Sequence, residues 1–218
     1  MYQARLSQKN RARNINAPLP LSYYQHHDVI FLSQDLLGKF LMTKIGPTIT
    51  GGMIIETEAY RAPEDRASHA FNNRRTKRNE MMYQHGGYGY GYVYQCYGIH
   101  ALFNVVTNLS GIPHAILIRA IQPTIGIEEV LRRRHQEKLS KTTASGPGTL
   151  TQALGINLSH NGCLLTEPPI WIEDHGIVVK PKDIIAGPRV GVDYTGEHVL
   201  LPWRFRLKFK KNILSCVI

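Results

Sequence analysis

Alternation between apolar and polar residues predicts one unusual strand, over residues 53–60. Every second residue is apolar or small, so one face of this strand can line a core. The opposite face carries Glu56, Glu58 and Tyr60, and neighbours on one face of a strand lie roughly 6.6 Å apart. Two carboxylates and an aromatic ring in a row could hold a flat ring with a water beside it. The acids could also pair with arginines on a half-exposed strand, and the stretch alone slightly favours this second interpretation.

Patterns elsewhere in the chain predict a mixture of helices and strands. In chain order they indicate a short helix capped by Ser33 and running through Phe40, a hairpin at Gly46-Pro47, strands over 92–106 with a break at Gly98 and over 115–121, a helix over 127–139, a short helix that follows 145–148 and is closed by Gly155, and further strands and turns over 170–207. Strands do not alternate regularly with helices, which argues against a doubly wound sheet. We therefore expect an α+β fold: a single mixed domain with a curved, largely antiparallel β-sheet core and surrounding helices.

Charge narrows the class of partner. The 218 residues include 26 lysines and arginines against 16 acids, which gives a formal net charge of +10. Such a balance suits a polyanion, and nucleic acid is the commonest one. A basic ribosomal or membrane-surface protein would have the same balance, so charge indicates a class of partner and no mechanism.

Cysteine usage and hydropathy indicate a location. Cys96, Cys163 and Cys216 are too far apart for a disulfide framework or a zinc signature, so we expect reduced thiols in an intracellular protein. No signal-peptide core or long apolar run is present, so we expect a protein that is neither secreted nor bound to a membrane. It would work in the cytoplasm or nucleoid of a bacterium, or in the nucleus of a eukaryote.

Two segments beyond the acidic strand carry candidate chemistry. Tyr92, Tyr94 and Tyr97 lie within six residues, and aromatic rings in a basic protein can stack on bases, at about 1–3 kcal/mol for each stack. More often such tyrosines are core residues with a hydroxyl at the edge. Asn104 interrupts an apolar run, and a buried amide must find partners, so it is either a structural bridge or a specificity group.

Short motifs in chain order resemble those of the alkyladenine (3-methyladenine) DNA glycosylase family. They are Glu56-Thr57-Glu58-Ala59-Tyr60, Pro63-Glu64-Asp65, Ala67-Ser68-His69, Arg78-Asn79, Tyr92-Val93-Tyr94 with Tyr97-Gly98, Leu117-Ile118-Arg119-Ala120, Ser145-Gly146-Pro147, Gln152-Ala153-Leu154 and Arg189-Val190-Gly191-Val192. The resemblance runs from about residue 36 to about residue 206. The N-terminal residues are basic and include no acid, so we expect a flexible basic arm over 1–20. The resemblance implies a single glycosylase domain over 21–207, followed by a C-terminal tail over 208–218.

The resemblance assigns catalytic roles on and beside the acidic strand. Glu58 matches the general base that activates water, while Arg119 and the main-chain carbonyl of Val190 match groups that help to hold that water. We assign Glu56 to a supporting role. Hydrolysis of a base–sugar bond passes through an oxocarbenium-like state, which a carboxylate can stabilise while it activates water.

The resemblance also assigns the groups that bind DNA. Tyr60, His69 and Tyr94 match residues that sandwich and contact the flipped base, Asn104 matches a residue against the 2-position of the purine, and Tyr97 matches the wedge that enters the duplex. Relative to the family, the loop at 86–92 and the link between Asn104 and Arg119 are longer.

The implied function is that of a monofunctional DNA-3-methyladenine glycosylase. It would excise 3-methyladenine, 7-methylguanine, hypoxanthine or ethenoadenine from double-stranded DNA, leaving an abasic site, as a monomer without metal or cofactor. Two alternatives remain: a non-catalytic nucleic-acid-binding module, and a glycoside hydrolase that uses Glu56 and Glu58 as its acid pair. The net charge and the arginine-rich loop at 61–79 argue against a neutral sugar substrate.

Overall fold

Ten strands form one antiparallel sheet in the computed structural model, which describes residues 16–83 and 88–208. The strands are β1 (Ala17–Pro18), β2 (Phe40–Lys44), β3 (Ile49–Tyr60), β4 (Gly91–Cys96), β5 (His100–Thr107), β6 (His114–Ile125), β7 (Thr166–Glu167), β8 (Ile170–Asp174), β9 (Ile184–Gly187) and β10 (Arg204–Leu207). The α-helices among the described residues are α1 (Leu21–Tyr24), α2 (Val29–Asp35), α3 (Ile127–Arg134) and α4 (Pro147–Leu154). The α+β prediction is confirmed, with a curled antiparallel sheet in a single domain.

Strand β3 is where the sheet branches. The strand order is β1-β8-β2-β3-β6-β5-β4, so β6 covers one edge of β3. On its other edge, β2 pairs with the first part of β3 and β10 pairs with residues 56–58. Gly52 permits the close approach of β3 and β6, because a Cβ there would lie 2.2 Å from the carbonyl oxygen of Gln122. The last part of β3 is therefore paired on both edges, with β6 on one side and β10 on the other.

Helix α2 corrects one prediction. Ser33 is not a cap: it is buried inside the helix, and Asp28 caps it by accepting a hydrogen bond from the Phe31 amide at 3.0 Å. Val29 and Leu32 are buried from the same helix, while Phe40 belongs to β2 instead. The Ser33 carbonyl accepts a 2.7 Å bond from the Thr57 hydroxyl, which fixes α2 against β3.

The two later helices agree with the sequence in type and differ in length. Helix α3 ends at Arg134 rather than at Leu139, because His135 takes a left-handed φ of 51° that ends the helix. Helix α4 starts with Pro147 and is closed by Gly155, whose φ is 75°, as predicted. The Gly46-Pro47 hairpin between β2 and β3, and the break at Gly98 between β4 and β5, are confirmed.

Buried apolar residues form two clusters. The larger one fills the space between the sheet and helices α2, α3 and α4. The smaller one joins the 62–82 segment to β4, β5 and β6, and Tyr60 and Tyr94 pack against it. It supports the wall of the pocket described below. Of the predicted basic arm, Ala17–Pro18 pairs with β8, and residues 1–15 lie outside the described part of the chain, as do 84–87 of the tyrosine-rich loop region and 209–218 of the tail.

Candidate active site

Two irregularities in the pairing of β3 with β6 create the site. The register shifts between Ile54 and Glu56 and again between Glu56 and Thr57, so Ile55 on β3 and Arg119 on β6 are each an extra residue in the ladder. Bulges of this kind redirect side chains and are frequent beside active sites. Here they bring the Arg119 guanidinium between the two acids of β3, with Nε 2.8 Å from Glu56 Oε1 and Nη1 3.3 Å from Glu58 Oε1.

Glu58 is the most enclosed acid of the site. Its side chain is fully buried, and its Oε1 accepts a 2.8 Å hydrogen bond from the Val190 amide in addition to the Arg119 contact. The Tyr60 hydroxyl donates to Oε2 at 2.9 Å. Glu56 is different, since it is partly exposed and also lies 3.9 Å from the Nε of Arg204. The interpretation of an acid paired with arginines therefore describes Glu56 best.

The surroundings of Glu58 change its acidity. Burial raises the pKa of Glu58 above its ordinary value, although Arg119, the Val190 amide and the Tyr60 hydroxyl act in the opposite direction. Burial and the neighbouring Glu58 carboxylate raise the pKa of Tyr60 far above its ordinary value, so the phenol keeps its proton and remains a donor. The site thus holds a carboxylate of increased basicity.

Glu58 keeps capacity for one more hydrogen bond. A carboxylate offers about four lone-pair sites. Among the described residues Glu58 receives Val190 and Arg119 on Oε1 and Tyr60 on Oε2. This count leaves one acceptor site, on Oε2, which a water molecule can use.

A pocket of about 480 Å³ adjoins the groups that hold this carboxylate. Tyr60, Arg119 and Val190 line it, whereas the fully buried Glu58 is not one of its lining residues. The pocket wall is otherwise rich in aromatic rings and apolar groups. The volume suits a small flat ligand, and pockets of this kind are typical binding sites.

A cluster of rings in the pocket wall contains His69. Its Nδ1 lies 2.9 Å from the Tyr92 hydroxyl, and its ring meets that of Tyr94 edge-on with centroids 4.7 Å apart. The Arg78 guanidinium covers the Tyr94 ring at 4.6 Å. Burial, with Arg78 and Arg74 adding to the effect, lowers the pKa of His69 to about 4. His69 is therefore a neutral ring at pH 7.

Asn104 lies on β5 and combines both interpretations made from the sequence. It is buried, and its Nδ2 donates to the Tyr92 carbonyl at 3.1 Å. It also lines the pocket. The Asn104 amide therefore links β5 to the Tyr92 carbonyl of β4 and also lies where a ligand in the pocket can contact it.

Tyr97 stands at the outer edge of the pocket, at the tip of the β4–β5 hairpin. Its side chain is 87% exposed, and its φ of 51° lies in the left-handed region that non-glycine residues rarely adopt. A large apolar ring held in a costly conformation and exposed to solvent is a sign of function. Tyr97 and Gly98 lie together in the turn between β4 and β5.

A buried ion pair behind the pocket was not predicted. Arg189 donates to both carboxylate oxygens of Asp65, at 2.5 and 2.8 Å, and to the Ala59 carbonyl at 2.9 Å. Its guanidinium lies between the rings of Tyr60, at 4.8 Å, and Trp203, at 5.1 Å. Because Arg189 precedes Val190, this pair fixes the amide that contacts Glu58. Asp65 and Arg189 both occur in the motifs that carry the family resemblance. Neither the hydrophobic periodicity nor the composition of the sequence indicated a role for them.

The structure brings the eight sequence-predicted site residues to one place. Seven of them line the pocket: Tyr60, His69, Tyr94, Tyr97, Asn104, Arg119 and Val190. The eighth is Glu58, which contacts Tyr60, Arg119 and Val190. Within residues 16–83 and 88–208, no group of three or more histidines, cysteines or acids is arranged to hold a metal ion. No helix in these ranges is long and apolar enough to cross a membrane.

Comparisons with known proteins agree with this arrangement. The family model described as methylpurine-DNA glycosylase matches residues 22–211. A protein from Chlamydia felis is 48% identical over 195 residues, which cover 89% of this chain and 98% of the relative. One from Bacillus licheniformis is 41% identical over 196 residues, covering 90% and 96%, and one from Bacillus subtilis is 41% identical over 188 residues, covering 86% and 92%. All three relatives are provisionally named 3-methyladenine DNA glycosylases.

Proposed function

The chain belongs to the methylpurine-DNA glycosylase family, and we propose that it excises 3-methyladenine and related damaged purines from double-stranded DNA. Family membership makes it a monofunctional DNA glycosylase of DNA repair, a hydrolase that acts on N-glycosyl bonds. The observation that carries the finer proposal is the buried Glu58 carboxylate, held by groups that line an aromatic pocket. We extend the proposal to 7-methylguanine, hypoxanthine and ethenoadenine, and to a monomeric enzyme.

Glu58 acts as the general base in this proposal. A water bound at the remaining acceptor site of Oε2 attacks C1′ of the sugar. The water oxygen bonds to C1′ while one water proton passes to the carboxylate. The bond from C1′ to the purine nitrogen breaks, and its electron pair leaves with the base. The positive charge that develops on the sugar is stabilised by the same carboxylate. The products are an abasic site and the free purine.

Arg119 and Val190 prepare Glu58 for this step. The Val190 amide and the Arg119 guanidinium both contact Oε1, so the remaining acceptor site for the proposed water lies on Oε2, beside the Tyr60 hydroxyl. Glu56 holds the other side of the guanidinium through Nε, so we assign it to positioning Arg119. The Val190 carbonyl and Arg119 complete the proposed water site. Because Arg119 holds both Glu58 and the proposed water, the protein has a use for a charged side chain in this largely buried position.

The rings of the pocket hold the flipped base. Tyr60 and Tyr94 offer electron-rich faces, which attract a purine made cationic by alkylation. A cationic base already leaves readily, whereas a neutral one such as hypoxanthine must gain a proton before it departs. His69 is neutral and hydrogen-bonded to Tyr92, so it contacts the base as a fixed polar ring without adding a charge.

Tyr97 and Asn104 control entry and selection. A base inside a duplex is out of reach, so it must rotate out of the stack, and Tyr97 fills the gap that it leaves. Asn104 lies against the 2-position of the purine, where guanine carries an amino group and hypoxanthine does not. The Asn104 amide rejects guanine in two ways. It clashes with the 2-amino group, and the polar groups at that position are left without hydrogen-bond partners.

One assay separates this proposal from the alternatives. Duplexes that contain a single hypoxanthine or 7-methylguanine are incubated with excess enzyme, and abasic sites are detected as alkali-labile breaks. A glycosylase releases the base from both duplexes. A non-catalytic binding module would retard the duplex on a gel without releasing the base, and a sugar hydrolase would do neither. Binding should weaken steeply with salt, because contacts to phosphates release counterions, and gel filtration tests the monomer.

A further inference from the structure

A second exposed tyrosine stands at the mouth of the pocket. Tyr194 lies in the helical segment Asp193–Leu200, its side chain is 72% exposed, and it lines the same pocket as Tyr97. The two tyrosines come from parts of the chain about a hundred residues apart. Large exposed aromatic rings beside a pocket are a sign of an interaction surface.

Tyr194 belongs to the part of the chain that also contacts Glu58. The pocket-lining residues Val190, Gly191 and Val192 precede it, and the Val190 amide donates to the catalytic carboxylate. Partial desolvation and the Asp65 carboxylate raise the pKa of Tyr194, with a smaller contribution from Tyr97, while Arg189 and Arg78 act in the opposite direction. The Tyr194 side chain is therefore within electrostatic range of both the wall of the pocket and its outer edge.

We propose that Tyr194 is a DNA-binding residue that packs against the damaged strand beside the extruded nucleotide. This inference rests on the proposed function. If the damaged base enters the pocket, the strand that carries it must pass over the pocket mouth. Tyr97 fills the vacated position in the duplex, so the other exposed ring at the mouth meets the strand itself. Packing a ring on a nucleotide gains about 1–3 kcal/mol, and the neighbouring Arg78 guanidinium adds charge that attracts phosphates.

Binding measurements on three variants test this assignment. The probe is a duplex with a single tetrahydrofuran abasic analogue, which no glycosylase can cleave, and affinity is read by fluorescence anisotropy. Tyr194→Ala should raise Kd about tenfold, the equivalent of one lost stack, and Tyr194→Phe should bind as the wild type does. Leu200→Ala is the matched control, because Leu200 lies in the same helical segment, is 74% exposed and is not a pocket-lining residue.

The excision rate separates binding from chemistry. At saturating enzyme, any loss in the rate of 7-methylguanine excision by Tyr194→Ala should be much smaller than its loss of affinity, because the described contacts of Glu58 come from Tyr60, Arg119 and Val190. An unchanged Kd for Tyr194→Ala, or an equal loss of affinity in Leu200→Ala, would overturn the proposal. If the wild type binds the probe but excises nothing, the proposed function fails, and the Kd comparison still decides whether Tyr194 contacts DNA. A wild type that does not bind the probe would refute both.

Discussion

The floor and the rim of the pocket are built in opposite ways. We use "floor" for Glu58, Tyr60, Arg119 and the Val190 amide, and "rim" for Tyr97 and Tyr194. Within the floor Glu58 is fully buried, and each of the other three groups is held by a hydrogen bond or ion contact to it. The rim is exposed, at 87% and 72%. Under the proposed function, the chemical step relies on groups placed before DNA arrives, while the rim acts through the contacts that DNA makes.

This difference has a thermodynamic consequence. Because the native pKa of Glu58 is raised, the folded state prefers the protonated carboxyl, and the preference stabilises the fold only at low pH. It is lost as the pH rises through the native pKa, so at pH 7 the ionised carboxylate costs stability. Substitutions in the floor should therefore change the excision rate and the free energy of unfolding independently of each other. Substitutions in the rim should change the affinity for DNA.

The largest effect is expected for Glu58→Gln. The amide keeps the shape but cannot take a proton from water, so we expect single-turnover excision to fall by at least about 10³-fold. Binding to damaged duplex should persist, and the melting temperature at pH 7 should stay level or rise. Glu56→Gln, the matched control on the same strand, should lose much less rate. A dispensable Glu58 beside an essential Glu56 would reverse our assignment.

Disrupting the support behind the floor should have the next largest effect. Asp65→Asn leaves the buried Arg189 without its counter-charge, and breaking a buried pair in this way typically costs about 3–5 kcal/mol. Denaturant unfolding measures the loss. Arg75→Gln is the control, because Arg75 binds both oxygens of Glu80 at similar distances on the exposed surface and should cost little. Equal effects of the two variants would remove any special role for the buried pair.

The acid side of the pH profile should report the floor alone. With 7-methylguanine as substrate the leaving base needs no added proton, so the rate should fall by up to about tenfold per unit as the pH drops below the pKa of Glu58. That pKa is raised, so the fall should begin above the range of an ordinary glutamate. His69, with a pKa of about 4, stays neutral through most of this range. A flat profile from pH 7 down to about 4.3, the ordinary value for glutamate, would contradict the raised pKa.

Tyr97→Ser should alter the rim without touching the floor. The vacated stack would no longer be filled, so the flipped state should lose about tenfold in population or lifetime. Ethenoadenine fluorescence in a stopped-flow experiment measures this equilibrium, and Tyr97→Phe should preserve it. An unchanged flipping equilibrium in the serine variant would place the wedge elsewhere.

The smallest effect is expected for Asn104→Ser, which changes selection rather than rate. The shorter side chain should relieve contact with the 2-amino group, so excision of guanine from a G·T mismatch should rise a few-fold relative to hypoxanthine. Loss of the bond to Tyr92 should cost about 1 kcal/mol. Paired melting curves are needed, because a less stable protein with an unchanged ratio would make Asn104 a bridge only.

Element types were easier to predict from the sequence than boundaries. The hairpins at Gly46 and Gly98 and helix α4 follow from turn residues and caps, which act over a few positions. The end of α3 was wrong because His135 gives no sign in the sequence of its left-handed backbone. Ser33 was wrong as a cap because Asp28, five residues earlier, fills that role.

The chemical groups of the site can be read from the sequence alone: two acids and a tyrosine on one strand, tyrosines in a hairpin, an amide in an apolar run and an excess of positive charge. Which acid is buried, and which is paired mainly with arginines, follows only from the fold. The reason is that both bulges, and the bonds from Val190 to Glu58 and from Arg189 to Asp65, depend on chain segments far apart in sequence. Residue chemistry is fixed by the chain, whereas burial, register and pKa are set by the partners that folding brings together.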